Sequence, residues 1–273
     1  MKVIKFLFLI MGLFLFSPLK AQEFELGDKI DIKVVGSVTY NQNEGYYEYT
    51  LFSSKKSEQN LWDFRVILSD EKLIKSIQAP QGWYEPCVAP RGLGVLPSWQ
   101  EVAWVAWGAP DEVEIRPGSS ASGFKFTSLS SLPGIVDYYA EGWHEIPSFP
   151  YGMAPDYVPG YNDFTPYGPG TVGKTIGPVP LPKVFNPISF IGTLTSLKEE
   201  CYSLGWIDNE GILNSLNKKL DNAKKNFEKG NIKAAKNILN AFINEVEAQK
   251  GKHLSPEAYA VLKFNAQYLI DNL

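Results

Sequence analysis

Ser203-Leu-Gly-Trp-Ile-Asp-Asn-Glu-Gly-Ile212, Leu220-Asp-Asn-Ala-Lys224, Ala241-Phe-Ile-Asn-Glu-Val-Glu-Ala-Gln249 and Leu262-Lys-Phe-Asn-Ala-Gln-Tyr-Leu-Ile270 belong to one amphipathic stretch that begins at Asn186. Phe190, Leu194, Leu197, Cys201 and Leu204 recur at helical spacing. So do Ile212, Leu216, Leu220, Ala223 and Phe227, and then Ala235, Ile238, Leu239, Phe242, Ile243 and Val246. Start and stop residues divide these stripes into four helices. Asn186-Pro187 opens the first and Gly205 closes it. Asp208 or Asn209 caps the second and Gly230 ends it, Asn231 caps the third and Gly251 ends it, and Ser255-Pro256 opens the fourth. Four short stripes that must bury one another predict an antiparallel four-helix bundle over residues 187–273.

These same words resemble the FIMAH-type helical domain, and the resemblance covers residues 174–273. That family is a C-terminal accessory module of secreted prokaryotic proteins. The resemblance therefore implies a compartment and an architecture, and it carries over no catalytic residue.

The other end of the chain points to export independently. Lys2 and Lys5 precede an apolar run over residues 6–16, followed by Ser17-Pro18 and Leu19-Lys20-Ala21, which together read as a secretory signal peptide over residues 1–21. The run is shorter than the roughly 20 residues that span a bilayer. The first cysteine is Cys87, so no lipid-bearing cysteine follows the run. The expectation is a secreted or periplasmic protein with no membrane insertion after cleavage.

Composition divides the remainder. Six of the seven tryptophans (Trp62, Trp83, Trp99, Trp104, Trp107 and Trp143) lie before residue 145. Residues 22–192 hold 12 Lys and Arg against 20 Asp and Glu, whereas residues 193–273 hold 11 against 10. An acidic first domain repels phosphate backbones, so neither nucleic acid nor an anionic membrane is expected as its partner.

Residues 22–144 read as an antiparallel β-sandwich. Segments 30–40, 46–53, 61–68, 73–79, 102–107, 113–116, 124–129 and 135–140 are rich in β-branched and aromatic residues and are spaced by turn residues. Ile30, Ile32 and Val34 oppose Asp31 and Lys33, and Phe64, Val66 and Leu68 oppose Asp63 and Arg65. Each such strand is expected to bury one face and wet the other. Pro80-Gln-Gly-Trp83, Trp107, Ile115-Arg-Pro-Gly118 and Gly123-Phe-Lys-Phe126 loosely resemble a recurrent pattern of secreted bacterial β-sandwich modules.

Residues 145–186 contain nine prolines together with many glycines and aromatics, and they read as a linker partly docked on its neighbours. Gly168-Pro-Gly-Thr-Val-Gly173-Lys174-Thr175 spells the phosphate-loop pattern, but its prolines forbid the strand-then-helix setting that pattern needs.

Catalytic material is sparse. There are two histidines, His144 and His253, and no serine stands in a G-x-S-x-G setting. Asp111, Glu112 and Glu114, or Asp137 and Glu141, are the carboxylates from which a glycosidase pair would be drawn, and solvated loop and edge carboxylates are the plainer account of them. The expectation is a non-catalytic protein with no cofactor and no metal. Its ligand contacts are expected at Trp83, Tyr84 and Trp99, which sit beside Gly82, Pro86 and Pro97 in turn-like settings where flat rings can stack on sugars. The expected partner is an extracellular protein or glycan. Cys201 falls on the apolar stripe of the first helix and Cys87 in a proline-flanked loop, so no bridge between them is expected.

Overall fold

The computed structural model describes residues 29–41, 44–92, 101–143 and 170–273. The signal-peptide reading and residues 145–169 of the linker lie outside them. Among the described residues the chain runs β1 (Ile32–Asn41), β2 (Glu44–Ser53), β3 (Leu61–Leu68), β4 (Ile74–Gln78), β5 (Cys87–Ala89), β6 (Ala103–Gly108), β7 (Ser120–Leu129), β8 (Ser131–Gly142) and β9 (Thr171–Pro180). Four helices follow: α1 (Pro187–Ser203), α2 (Glu210–Glu228), α3 (Ile232–Gln249) and α4 (Pro256–Asp271). One sheet has the order β1-β2-β7-β4 and the other β5-β6-β3-β8-β9, with antiparallel neighbours throughout. The architecture is therefore a β-sandwich followed by a four-helix bundle.

Alternation decides which side chains meet between the sheets. Tyr47, Tyr49 and Leu51 of β2, Phe64, Val66 and Leu68 of β3, and Phe124 and Phe126 of β7 are all buried. Trp107 of β6 lies at their centre. Its ring stacks on Phe64 at 5.5 Å and meets the edge of Phe124 at 5.9 Å, and its Nε1 donates to the Gln78 carbonyl of the opposite sheet at 2.8 Å. The Tyr49 hydroxyl crosses the sandwich to the Ile176 carbonyl at 2.7 Å. Each polar tip thus keeps a partner while its ring contributes buried area.

Three sequence expectations are revised by this packing. The linker does not extend through residues 171–180, which form β9 and pair with β8 from Ser131↔Pro180 to Ala140↔Thr171. Proline is tolerated there because β9 is an edge strand, where a missing N–H breaks no second ladder. Glycine is required for a different reason: a Cβ on Gly173 would stand 2.5 Å from the Tyr138 ring, and one on Gly177 2.6 Å from Val136. The composition that suggested a linker is that of a strand fitted against bulky neighbours.

Secondly, β3 does not wet its outer face. Asp63 is buried and holds Arg65 through two hydrogen bonds of 2.7 and 3.0 Å, and the guanidinium lies 5.4 Å from the Tyr139 ring. Ile67, Ala89, Trp104 and Tyr139 form a second apolar cluster on that side. Thirdly, segment 113–116 is no strand. It contributes the isolated bridge Leu61↔Ile115, with reciprocal backbone hydrogen bonds of 2.9 and 3.0 Å.

In the bundle, Asn186, Asn209 and Ser255 cap their helices by accepting from the N–H groups of Ser189, Ile212 and Ala258. Asn231 makes no side-chain cap bond. Gly205, Gly230 and Gly251 have φ near +70° just past the helix ends, the left-handed conformation that terminates a helix at least cost for glycine. Asp208 accepts from His253 Nδ1 at 2.7 Å, and the two loops are further joined by the Ile207↔Leu254 bridge. The buried stripe of α1 is Phe190, Ile191, Leu194, Lys198 and Cys201, so Lys198 occupies the inner position that Leu197 was expected to hold, and its ammonium pairs with Glu199.

The two halves share a continuous core. Helix α4 packs on β1, β8 and β9. The Glu257 carboxylate accepts from the Gly36 N–H on the open edge of β1 at 2.8 Å, and Asn265 Nδ2 donates to the Pro133 carbonyl at 2.8 Å. An exposed edge strand is a template for wrong pairing, and covering it with a helix removes that liability.

Both cysteines are free, Cys87 exposed and Cys201 buried. Burial pushes the Cys201 thiol well above its ordinary range, with the charges of Glu200 and Glu257 adding to the effect. A thiol held neutral is a poor nucleophile. Iodoacetamide at neutral pH is therefore expected to alkylate Cys87 alone in the folded protein and both cysteines in denaturant, as read by peptide mass. Labelling of Cys201 at the rate of Cys87 in the folded state would contradict its place in the core.

Candidate functional site

The expected ligand residues separate in the structure. Pro80-Gln-Gly-Trp83 forms a tight turn in which Gly82 has φ +87° and Trp83 N–H donates to the Pro80 carbonyl at 3.2 Å. This turn directs Trp83 inward, where its ring meets Phe124 edge-on at 4.7 Å, leaving it half-buried. Tyr84 is 58% exposed and is positioned by its N–H bond to the Gly108 carbonyl at 3.0 Å. Trp99 and His144 lie outside the described residues.

The carboxylates singled out above have structural partners or stand apart. Asp137 pairs with Lys174 at 2.7 Å, and Glu141 accepts from the Tyr139 hydroxyl at 2.7 Å. Four residues apart along β8, they are separated by about 13 Å, beyond the roughly 5 to 9.5 Å of glycosidase pairs. Glu114 accepts from Asn60 Nδ2 at 3.0 Å, and burial, aided by the charge of Asp111, raises its carboxyl above the ordinary value. Among the described residues no three His, Cys, Asp or Glu side chains gather as metal ligands. Lys174 and Thr175 of the phosphate-loop pattern lie in β9, with Thr175 buried, so that part of the pattern serves the sheet.

A site that sequence reasoning missed lies where α4 meets the sandwich. The end of β1, the β7–β8 turn and the C-terminal part of α4 enclose a cleft of about 390 Å³. Tyr40, Phe264 and Tyr268 supply aromatic surface, and Ser130, Gln267, Asp271 and Asn272 supply polar groups. Tyr40 is fixed by a ring contact with Phe264 at 4.8 Å, and its hydroxyl donates to the Ser131 carbonyl and lies in hydrogen-bond contact with the Tyr47 hydroxyl. Burial raises the Tyr40 phenol above its usual value, so it remains a neutral hydrogen-bonding group. Ser130 adopts φ +48° at the turn between β7 and β8. Gln267 donates to Asp271 at 2.7 Å, orienting both along the rim. Rings on a rigid wall beside amide, hydroxyl and carboxylate groups suit a polar ligand with apolar faces, and the volume is within the usual range of small-ligand sites. The local signal was weak because the lining comes from four separate stretches of chain, at Tyr40, Ser130 to Leu132, Leu181 and Phe264 to Asn272, and only docking of α4 assembles it.

With this geometry established, known proteins place the helical half. The FIMAH domain model matches residues 191–271, which span α1 to α4. A crystal structure of an uncharacterized protein from Nocardia farcinica, described as revealing an immunoglobulin-like fold, is 18% identical over 51% of this chain and 94% of that chain, with a TM-score of 0.28. So slight a likeness bears no weight, and the sandwich assignment rests on the two sheets themselves. None of the curated proteins matches. No helix among the described residues is long and apolar enough to cross a membrane.

Proposed function

We propose that this is an exported, non-catalytic recognition or adhesion protein, whose β-sandwich and FIMAH-like bundle together form one rigid binding scaffold. The seam cleft carries the proposal. Its walls are held by core packing and by the buried bonds of Glu257 and Asn265, so little ordering entropy is lost when a ligand enters. The partner is an extracellular protein or glycan, with no nucleic acid, no cofactor and no membrane insertion. The signal-peptide pattern and the FIMAH match support a secreted or periplasmic location.

A second reading, a glycan-binding component of an extracellular polysaccharide-processing system, is favoured by the exposed Tyr84 ring on its fixed turn. A panel of neutral oligosaccharides and extracellular protein extracts separates the readings. Binding weakened about tenfold by Gln267→Ala with Asn272→Ala, a loss of roughly 1.4 kcal/mol, and untouched by Tyr84→Ala is expected if the cleft is the site. The reverse pattern favours the second reading. Release of reducing ends from any polysaccharide in the panel would refute the non-catalytic assignment.

A further inference from the structure

The α2–α3 hairpin carries a charge pattern unlike the rest of the chain. Residues 218–236 contain seven lysines against Asp221 and Glu228. Lys219 is engaged, its ammonium lying 2.6 Å from Glu245 and 3.0 Å from the Ser215 hydroxyl. Lys218, Lys224, Lys225, Lys229, Lys233 and Lys236 have no ion-pair partner within 4.0 Å among the described residues. Lys218 and Lys225 of α2 and Lys229 at its C-cap are exposed and recur along one side, spanning about 16 Å. The acidic sandwich does not neutralise them, because α4 makes the principal contact with the strands and the hairpin forms a layer away from it.

Between the two helices runs a groove of about 440 Å³. Ile238 and Ala241 line it together with Lys218 and the amide side chains of Asn222 and Asn237. We infer that this hairpin is a second binding site, for a polyanionic glycan whose carboxylates meet the lysines and whose hydroxyls meet the asparagine amides. Charge complementarity supplies the long-range attraction, and the neutral amides supply hydrogen bonds that a row of ammonium groups alone would lack.

Other polyanions fit less well. A helix that lies on an anionic membrane sets a row of large apolar side chains beside its lysines, whereas Ile238 is the one large apolar residue among those lining this groove. Single-stranded nucleic acid is gripped by aromatic stacking and arginine, yet the groove has no aromatic residue and all three arginines of the chain, Arg65, Arg91 and Arg116, lie in the sandwich half.

The test uses the full exported chain and immobilised polygalacturonate, with dextran, double-stranded DNA and vesicles of phosphatidylglycerol as comparison surfaces. The expected result is retention on polygalacturonate that falls steeply as salt is raised, with no retention on dextran. Lys218→Glu with Lys225→Glu and Lys229→Glu should weaken it by about tenfold or more. The matching Lys→Gln variant should weaken it less, and Lys55→Glu with Lys56→Glu on the sandwich should leave it unchanged. All substituted side chains are exposed, so an unchanged circular dichroism melt accompanies the loss. Failure to bind polygalacturonate at low salt, tighter binding to DNA or to the vesicles, or full binding by the triple Glu variant would each overturn the inference. The seam cleft is read with neutral oligosaccharides and Gln267 and Asn272 variants, so the two sites fail separately.

Discussion

Trp107→Ala is expected to destabilise the chain by about 3 to 5 kcal/mol, the range for truncating a large aromatic in a packed core. The ring is fully buried among Phe64, Phe124 and Phe126, and its Nε1 holds the Gln78 carbonyl across the two sheets. Alanine leaves a cavity and removes the Nε1 donor from the Gln78 carbonyl. Against a total stability of about 5 to 15 kcal/mol for a domain, the variant should approach unfolding at ambient temperature. Urea denaturation followed by far-ultraviolet circular dichroism measures it. A loss under 1 kcal/mol would mean that the sandwich closes around the gap and that this ring is not the centre of its core.

Leu216→Ala in the middle of α2 is expected to cost about 2 to 5 kcal/mol and to lower the melting of both halves together. Leu216 is fully buried in the bundle. The bundle in turn covers the sandwich edge through α4, whose Glu257 and Asn265 are buried against β1 and β8. Residues 186–273 produced alone should still form helices, since their stripes face one another, but they expose the docked face of α4 and leave Glu257 and Asn265 to water. The fragment should therefore melt below the intact chain. Two well-separated transitions in the full protein, with only the helical one moved by Leu216→Ala, would show that the seam contributes little and that the halves are independent domains.

Local chemistry explains what was legible in advance. Helix ends are written in single residues, because a cap needs one side-chain oxygen and a left-handed stop needs one glycine. Asn186, Ser255, Gly205, Gly230 and Gly251 accordingly stand where the periodicity placed them. Strand 61–68 was readable from alternation, and 46–53 from its aromatic and β-branched residues between turns. Strand β9 was not: its prolines and glycines argue against a strand on average, and only an edge position beside Tyr138 and Val136 makes them suitable.

By itself, then, the sequence determined the local periods, the caps, the order of a β half and a helical half, and the contrast between an acidic sandwich and a nearly neutral helical half. Tertiary structure alone decided the rest. It turned Trp83 toward Phe124 and left Tyr84 outside, gave the outer face of β3 a second apolar cluster, and brought Tyr40 to Phe264 across 224 positions of chain to make the seam cleft. The reason is range. Periodicity and capping depend on neighbours within a turn or a strand, whereas the burial of a ring or the closing of a cleft depends on which distant segment arrives to cover it.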